Sequence, residues 1–404
     1  MTPTSARRAS GSSLVREYLL LGLRFDRIEP GYVDAFTGDP ALRRIVENES
    51  APDPSALARR AEQLIAEIPS ALDGPRADFL AAHLRALACA GRKFAGEPVG
   101  FVDEVRAYFD VTIAKGDEDQ YRQAHTQLDE ALGGSGPLAE RMAAHRVRDE
   151  IPSERLAECI DAFSSALRDR VRAIWPLPGG EVVEYEVVTD QPWSGFNYYL
   201  GEYRSRVAVN ADIKQQMSTL PRLVAHESYP GHHTEHCRKE AGLVSRLGQD
   251  EQTIFLVNTP QCLMAEGLAD LALHAGVGSG WGAWAAEIYA DLGLRFDGAR
   301  AEAVSDASAG LLSVRQDAAL MLHDEHRPVD DVAAFLKRWL LVDDERARQM
   351  LRFLSSPLWR AYISTYVEGY RLLRSWLDDR PAGVGIGERF TRLLDEPLIP
   401  SSLR

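Results

Sequence analysis

Residues 226–236 read His-Glu-Ser-Tyr-Pro-Gly-His-His-Thr-Glu-His, so four of the chain's ten histidines and two glutamates fall within eleven residues. Neutral imidazoles are the commonest side-chain ligands for zinc, and a glutamate directly after the first ligand is where a hydrolytic metal site keeps its base. The chemistry this spells is metal-assisted hydrolysis. The usual spacing puts the second histidine four residues after the first, but here that position is Pro230. Proline cannot ligate, and it interrupts a helix because it lacks an N–H and clashes with the preceding turn. With Pro230-Gly231 looped out, His232 takes the second ligand's place beside His226. His233 is the competing choice: it returns to the same helical face, but two turns and roughly 10 Å away, too far for a shared ion unless the helix kinks. The histidine not used then supports its neighbour or touches substrate. A His232/His236 pair is a third arrangement, which leaves Glu227 without a role, and a solvated histidine-rich helix end is the plain alternative.

A closed ligand set needs a third side chain. The stretch from Thr259 to His274 is apolar almost all round except for Gln261, Glu266, Asp270 and His274, the last three spaced by four residues. Acids on an apolar helix are costly to bury unless they meet a cation or a donor. Glu266 therefore completes a two-His, one-Glu site with a position open for water, and Asp270 orients a ligand imidazole. That donor set suits one zinc ion best. The oxyanion of amide hydrolysis needs a further donor. Tyr366, in the stripe Tyr362, Tyr366, Tyr370, is the first candidate, and Tyr229 is a second. Arg204 and Arg206 share one face of the stretch 203–210, where they can fork a peptide's terminal carboxylate.

The elements that position these groups follow from periodicity. Apolar spacing of three and four predicts helices over 56–68, 79–94, 102–109 and 156–174, with a break at 131–138. No catalytic residue shows in this first half, where His83, His125 and His145 sit singly. After a Pro/Gly turn at 176–180, alternation predicts strands over 181–188, 197–200 and 203–209, closing a small antiparallel sheet; Gln191 and Pro192 break the first from the second. Helical spacing returns over 211–225, running directly into His226 and Glu227, and again over 259–274, 301–323 and 358–377. Two regions result: 1–175, helical, and 176–404, the metal-binding region, packed with the first as one unit.

A net charge of −14 repels nucleic-acid phosphates and anionic membranes. Met1 to Ser13 is polar, and the apolar stretch 18–23 is flanked by Arg16, Glu17 and Arg24. No export signal or membrane span is therefore expected, and the chain reads as cytoplasmic. Cys89, Cys159, Cys237 and Cys262 form no C-x-x-C pair and read as reduced thiols.

The run His226-Glu-Ser-Tyr-Pro-Gly-His-His233, with Ala265-Glu-Gly-Leu-Ala269 downstream, resembles the signature of the bacterial domain of unknown function 885 family. That family is grouped with the thermolysin-like zinc peptidases (gluzincins) and is distantly similar to Taq-type carboxypeptidases. Tyr18-Leu-Leu-Leu-Gly-Leu-Arg-Phe-Asp-Arg27, the segment 196–210 and Tyr366-Val-Glu-Gly369 resemble it too, so the likeness spans most of the chain. It implies a mainly α, zincin-like fold with a small sheet beside the active-site helix, and zinc-dependent hydrolysis. It also implies His226, His232 and Glu266 as ligands and Glu227 as base, with His232 against His233 left open. The function expected is a zinc metallohydrolase of a small peptide or amide, carboxypeptidase- or dipeptidase-like. A biosynthetic enzyme acting on a small amide, ester or conjugate is the alternative. A non-catalytic metal-binding scaffold is the third, and Glu227 beside the first ligand argues against it.

Overall fold

A computed structural model describes residues 3–191 and 193–404 and, among these, the side chains from residue 10 onward. Met1 and Thr2, at the start of the stretch read against an export signal, and Pro192, part of the break after the first predicted strand, lie outside the described residues.

The fold is mainly helical with two small sheets. The periodic stretches of the first half lie inside the helices Pro54–Ala71, Gly74–Phe94, Phe101–Phe109 and Leu156–Ile174. Local chemistry sets their ends: Asp53 accepts from Ser55 N at 3.0 Å and Pro54 stands in the first turn, where its missing N–H costs nothing. The predicted break at 131–138 separates the helices Glu118–Leu132 and Leu138–Arg148.

The strands are β1 (Val33–Phe36), β2 (Val182–Val188), β3 (Gly195–Gly201), β4 (Arg204–Asn210) and β5 (Ile254–Leu256). The last two predicted strands form an antiparallel hairpin, β3 with β4. The expectation of an all-antiparallel sheet is corrected: β2 pairs with β4 in parallel, in the order β2-β4-β3. The cause is that β4, after its hairpin turn, enters between β2 and β3, so the two strands joined by residues 189–194 do not touch as partners. β1 and β5, both too short for a visible alternation, pair antiparallel across more than two hundred residues of sequence.

Four predicted helices are shorter or broken, among them 259–274, which divides at Leu271 into Pro260–Asp270 and Ala272–Gly276. The helix leading into His226 begins only at Leu220, because residues 211–219 form bends and turns. The stretch 301–323 divides at Gly310 into Gly298–Ala309 and Val314–His323, and 358–377 becomes a widened turn, Thr365–Gly369, followed by the helix Tyr370–Asp378. One hydrophobic cluster takes in residues from Leu14 to Ile399, crossing the 175/176 boundary without interruption. All four cysteines are buried and outside disulfides. Among the described residues no helix is long and apolar enough to cross a membrane.

Candidate metal centre

His226 and Glu227 are the last two residues of the helix Leu220–Glu227, and His232 opens the next, His232–Lys239. Between them the chain doubles back. Gly231 N donates to Ala225 O at 2.9 Å, and Thr234 N reaches Ser228 O at 3.2 Å. A Cβ on Gly231 would lie 1.9 Å from His226 O and 2.4 Å from Ala225 O, both backbone atoms, so only glycine closes this turn. The looped-out Pro230-Gly231 step read from the sequence thus brings His232 against His226, their rings perpendicular with centroids 4.8 Å apart.

The third member arrives from the helix Pro260–Asp270. Glu266 Oε2 lies 3.4 Å from His226 Nε2, and Oε1 lies 3.5 Å from His232 Nε2. Donor atoms of His226, His232 and Glu266 all fall within 4.8 Å of one another, a group that can hold a metal ion. Ligand atoms around a tetrahedral ion with bonds near 2 Å stand about 3.3 Å apart, close to the two contacts here. Glu266 Oε2 is also buried without a hydrogen-bond donor, whereas Oε1 accepts from Tyr362 OH at 2.7 Å. A buried carboxylate oxygen left bare is costly, and a cation between it and the imidazoles removes that cost. The residues present fit a metal.

Asp270 Oδ1 stands 3.3 Å from His226 Nδ1, which leaves Nε2 to face Glu266, as expected of a carboxylate that orients a ligand ring. Arg222 Nη2 donates to the same Asp270 Oδ1 at 3.4 Å. Burial opposes a charged imidazole at His226, but Asp270, Glu266 and Glu227 outweigh it and push its pKa well up. His232 is raised in the same way, burial being overcome by Glu266. Burial opposes ionisation of Glu266 as well, yet the two imidazoles hold its carboxyl far below the usual range. The cluster draws positive charge, from protons or from an ion. Glu227 is buried, and desolvation raises its carboxyl despite His226 and His232. Its backbone oxygen accepts from Asn197 Nδ2 of β3 at 2.6 Å, which lays the edge strand beside the helix end.

Tyr366 is half-buried, and its hydroxyl has no hydrogen-bond partner among the described residues. Burial first, then Glu266, Asp270 and Glu227, keep its phenol well above the ordinary pKa, which puts it in electrostatic reach of the cluster.

The other expected groups lie elsewhere. His233 is fully buried, with Nε2 3.1 Å from Glu181 Oε2 and Nδ1 2.8 Å from Ser205 Oγ, so neither nitrogen is free for an ion or a substrate. Tyr229 OH, the second oxyanion candidate, donates to the same Glu181 Oε2 at 2.6 Å. Glu181 also takes Arg168 and Arg172, each at 2.7 Å, and so clamps both sides of the turn that presents His232. His236 stacks on Tyr199 at 4.5 Å, outside the ligand group. Arg204 and Arg206 are exposed and paired with Glu184 at 3.1 Å and Glu186 at 3.3 Å on β2. Ser205 between them points to His233, so the alternation of a strand sends both arginines to the far face of the sheet. The structure thus brings none of His233, Arg204 and Arg206 into the group formed by His226, His232 and Glu266.

Sequence reasoning missed two participants. Tyr362, noted only as part of a stripe, anchors Glu266. Asp34 of β1, from the half that showed no chemistry, has its carboxyl pushed up to about 7, first by burial and further by Glu266 and Glu227, with His232 opposing. No local signal marks it, because β1 is four residues long and gains its place only by pairing with β5.

No protein-family model matches the chain, and no curated protein matches it. Among solved structures, it is similar to a candidate lipoprotein from Colwellia psychrerythraea, with 11% sequence identity and a TM-score of 0.51 over 87% of this chain and 68% of that one. At that identity the likeness concerns the fold alone.

Proposed function

We propose that this protein is a zinc-dependent hydrolase of the gluzincin type, cleaving a peptide or amide bond in a small substrate. The observation that carries this reading is the convergence of His226, His232 and Glu266 within 4.8 Å with Glu227 directly following the first ligand. The resemblance to the domain of unknown function 885 family supports it from the side of sequence. A zinc ion held by these three side chains supplies Lewis acidity toward a carbonyl oxygen and toward water. Glu227, its carboxyl raised by burial, takes the proton of the attacking water and returns it to the leaving nitrogen. Asp270 keeps His226 presented through Nε2, and Tyr362 keeps Glu266 from rotating away. Tyr366, with its unpaired hydroxyl, donates to the oxyanion.

Glu227→Gln tests the reading. Zinc content, measured by elemental analysis, is expected to match wild type while turnover of a dipeptide panel falls by roughly 10²- to 10⁴-fold. Undiminished turnover refutes Glu227 as the base. Protein that takes up no zinc, and is unchanged in this by His226→Ala, refutes the site.

A further inference from the structure

Outside the His226, His232 and Glu266 group, a second set of buried polar atoms is left bare. A cavity of about 20 Å³ lies where the helices His232–Lys239 and Pro260–Asp270 meet β1 and β5. One water molecule needs roughly 10–15 Å³, so this space admits a single small species. Glu235 and Gln261 line it from the two helices, only 2% and 6% exposed. Glu235 Oε2 and Gln261 Oε1 have no hydrogen-bond partner among the described residues. Neither do Oε1 and Nε2 of Gln252, which lines the cavity from the short helix Asp250–Thr253. Three buried acceptor oxygens thus border room for one occupant, and leaving them bare is costly.

The charge of the lining decides what that occupant is. Glu235 Oε1 accepts from Lys239 Nζ at 2.6 Å, so one carboxylate of the lining is balanced by one ammonium. Glu240, also in the lining, accepts from neutral donors, Tyr199 OH at 2.6 Å and Glu202 N at 3.1 Å, and pairs with no cation among the described residues. His236 adds no positive charge, since burial first, then His232 and Lys239, hold its imidazole neutral. One negative charge is left over. A water molecule has two protons to donate, which leaves the third oxygen and the excess charge unmet. A divalent ion calls for more carboxylate oxygens than the single bare one here, and the Lys239 ammonium repels it. A dehydrated monovalent cation matches the volume, the oxygens and the charge.

We propose that this cavity is a monovalent-cation site, holding K⁺ or Na⁺ on Glu235 Oε2 and the side-chain oxygens of Gln261 and Gln252. Glu235 stands one turn after His232 on its helix, and Gln261 opens the helix that carries Glu266. The ion therefore ties together the two helices whose approach assembles the His226, His232 and Glu266 group. The site is separate from any hydrolysis and stands or falls without it.

The test is thermal unfolding of the full-length protein, by scanning calorimetry, in potassium, sodium or choline chloride at matched ionic strength. Choline is too large for the cavity and serves as the reference. With K⁺ or Na⁺ at about ten times its dissociation constant, the wild-type midpoint is expected to rise by roughly 1–2 °C over choline and to saturate with concentration. Glu235→Gln removes the charged ligand but also strips Lys239 of its partner. Gln261→Met is the cleaner variant, because the Gln261 side chain makes no hydrogen bond among the described residues and methionine keeps its length without the oxygen. A cation-specific rise in wild type that disappears in Gln261→Met supports the site. Equal wild-type midpoints in the three chlorides mean that the cavity holds water only and overturn the proposal. A rise that persists undiminished in Gln261→Met places the ion elsewhere and overturns it too.

Discussion

Replacing Gly267 with alanine adds one methyl group where the helix Pro260–Asp270 crosses the segment that carries Tyr362 and Tyr366. A Cβ at that position would lie 2.5 Å from the carbonyl carbon and 2.6 Å from the carbonyl oxygen of Gly369. Both are backbone atoms, so no side chain can swing aside. Ordinary contact begins at 3.4 Å, so the two elements must separate by about 0.9 Å along that line. Tyr362 OH now donates to Glu266 Oε1 at 2.7 Å. The same separation carries that bond to about 3.6 Å, beyond hydrogen-bond range. Overpacking costs about 1–3 kcal/mol and the lost bond to a charged acceptor about 1.5–3 kcal/mol, so Gly267→Ala is expected to lower the unfolding free energy by about 2.5–6 kcal/mol. A released Glu266 is also expected to weaken zinc binding by roughly 10-fold. Urea unfolding followed by circular dichroism on metal-free protein measures the first, and competition with a chromophoric chelator the second. Stability within about 0.5 kcal/mol of wild type refutes the packing argument. A destabilised variant that binds zinc at full strength refutes the link between this crossing and the ligand.

Two further outcomes follow from the residues around the cluster. Glu181→Gln strips the clamp on Tyr229 and His233. Desolvation alone would raise the Glu181 carboxyl, but His233, Tyr229 and Arg168 bring it down to about 2. Screening by its half-exposed arginine partners trims the stabilisation to about 2 kcal/mol. Because the folded pKa is depressed, that contribution is complete above the unfolded value near 4.5 and disappears as pH falls toward 2. Urea titrations at pH 7 and in acid should therefore show the gap between wild type and variant closing over that interval, and equal stability at pH 7 would sink the clamp. Asp270→Ala removes the partner of His226 Nδ1 and is expected to weaken zinc binding by roughly 10- to 100-fold in the same chelator competition, with unaltered affinity ruling out an orienting role.

Much of this protein is legible from local spacing. Residues 226–232 contain two members of the candidate metal group, His226 and His232, with Glu227 and the proline and glycine that double the chain back between them, because a turn's geometry is set by the residues inside it. Four helices of the first half and the three strands of the mixed sheet were readable for the same reason: apolar periods of 3.6 and 2 are properties of consecutive residues. Glu266 and Asp270 could be singled out as acids on an otherwise apolar helix. The gluzincin-like pattern was visible at this level and remains a proposal.

What only the tertiary structure decided is which distant groups meet. His233 and His232 are adjacent and alike in sequence, yet one faces Glu266 while the other is sealed between Glu181 and Ser205, a choice made by the packing of β2 and β4 behind the turn. β4's insertion between β2 and β3 made that pairing parallel. Asp34 is carried by β1, which takes its place by pairing with β5. Ala265-Glu-Gly-Leu-Ala269 and Tyr366-Val-Glu-Gly369 are separate motifs along the chain, and they meet because Gly267 and Gly369 let two backbones touch. Periodicity reports the face a residue takes on its own element, whereas the partner across a contact depends on side-chain volumes and hydrogen bonds summed over the whole core.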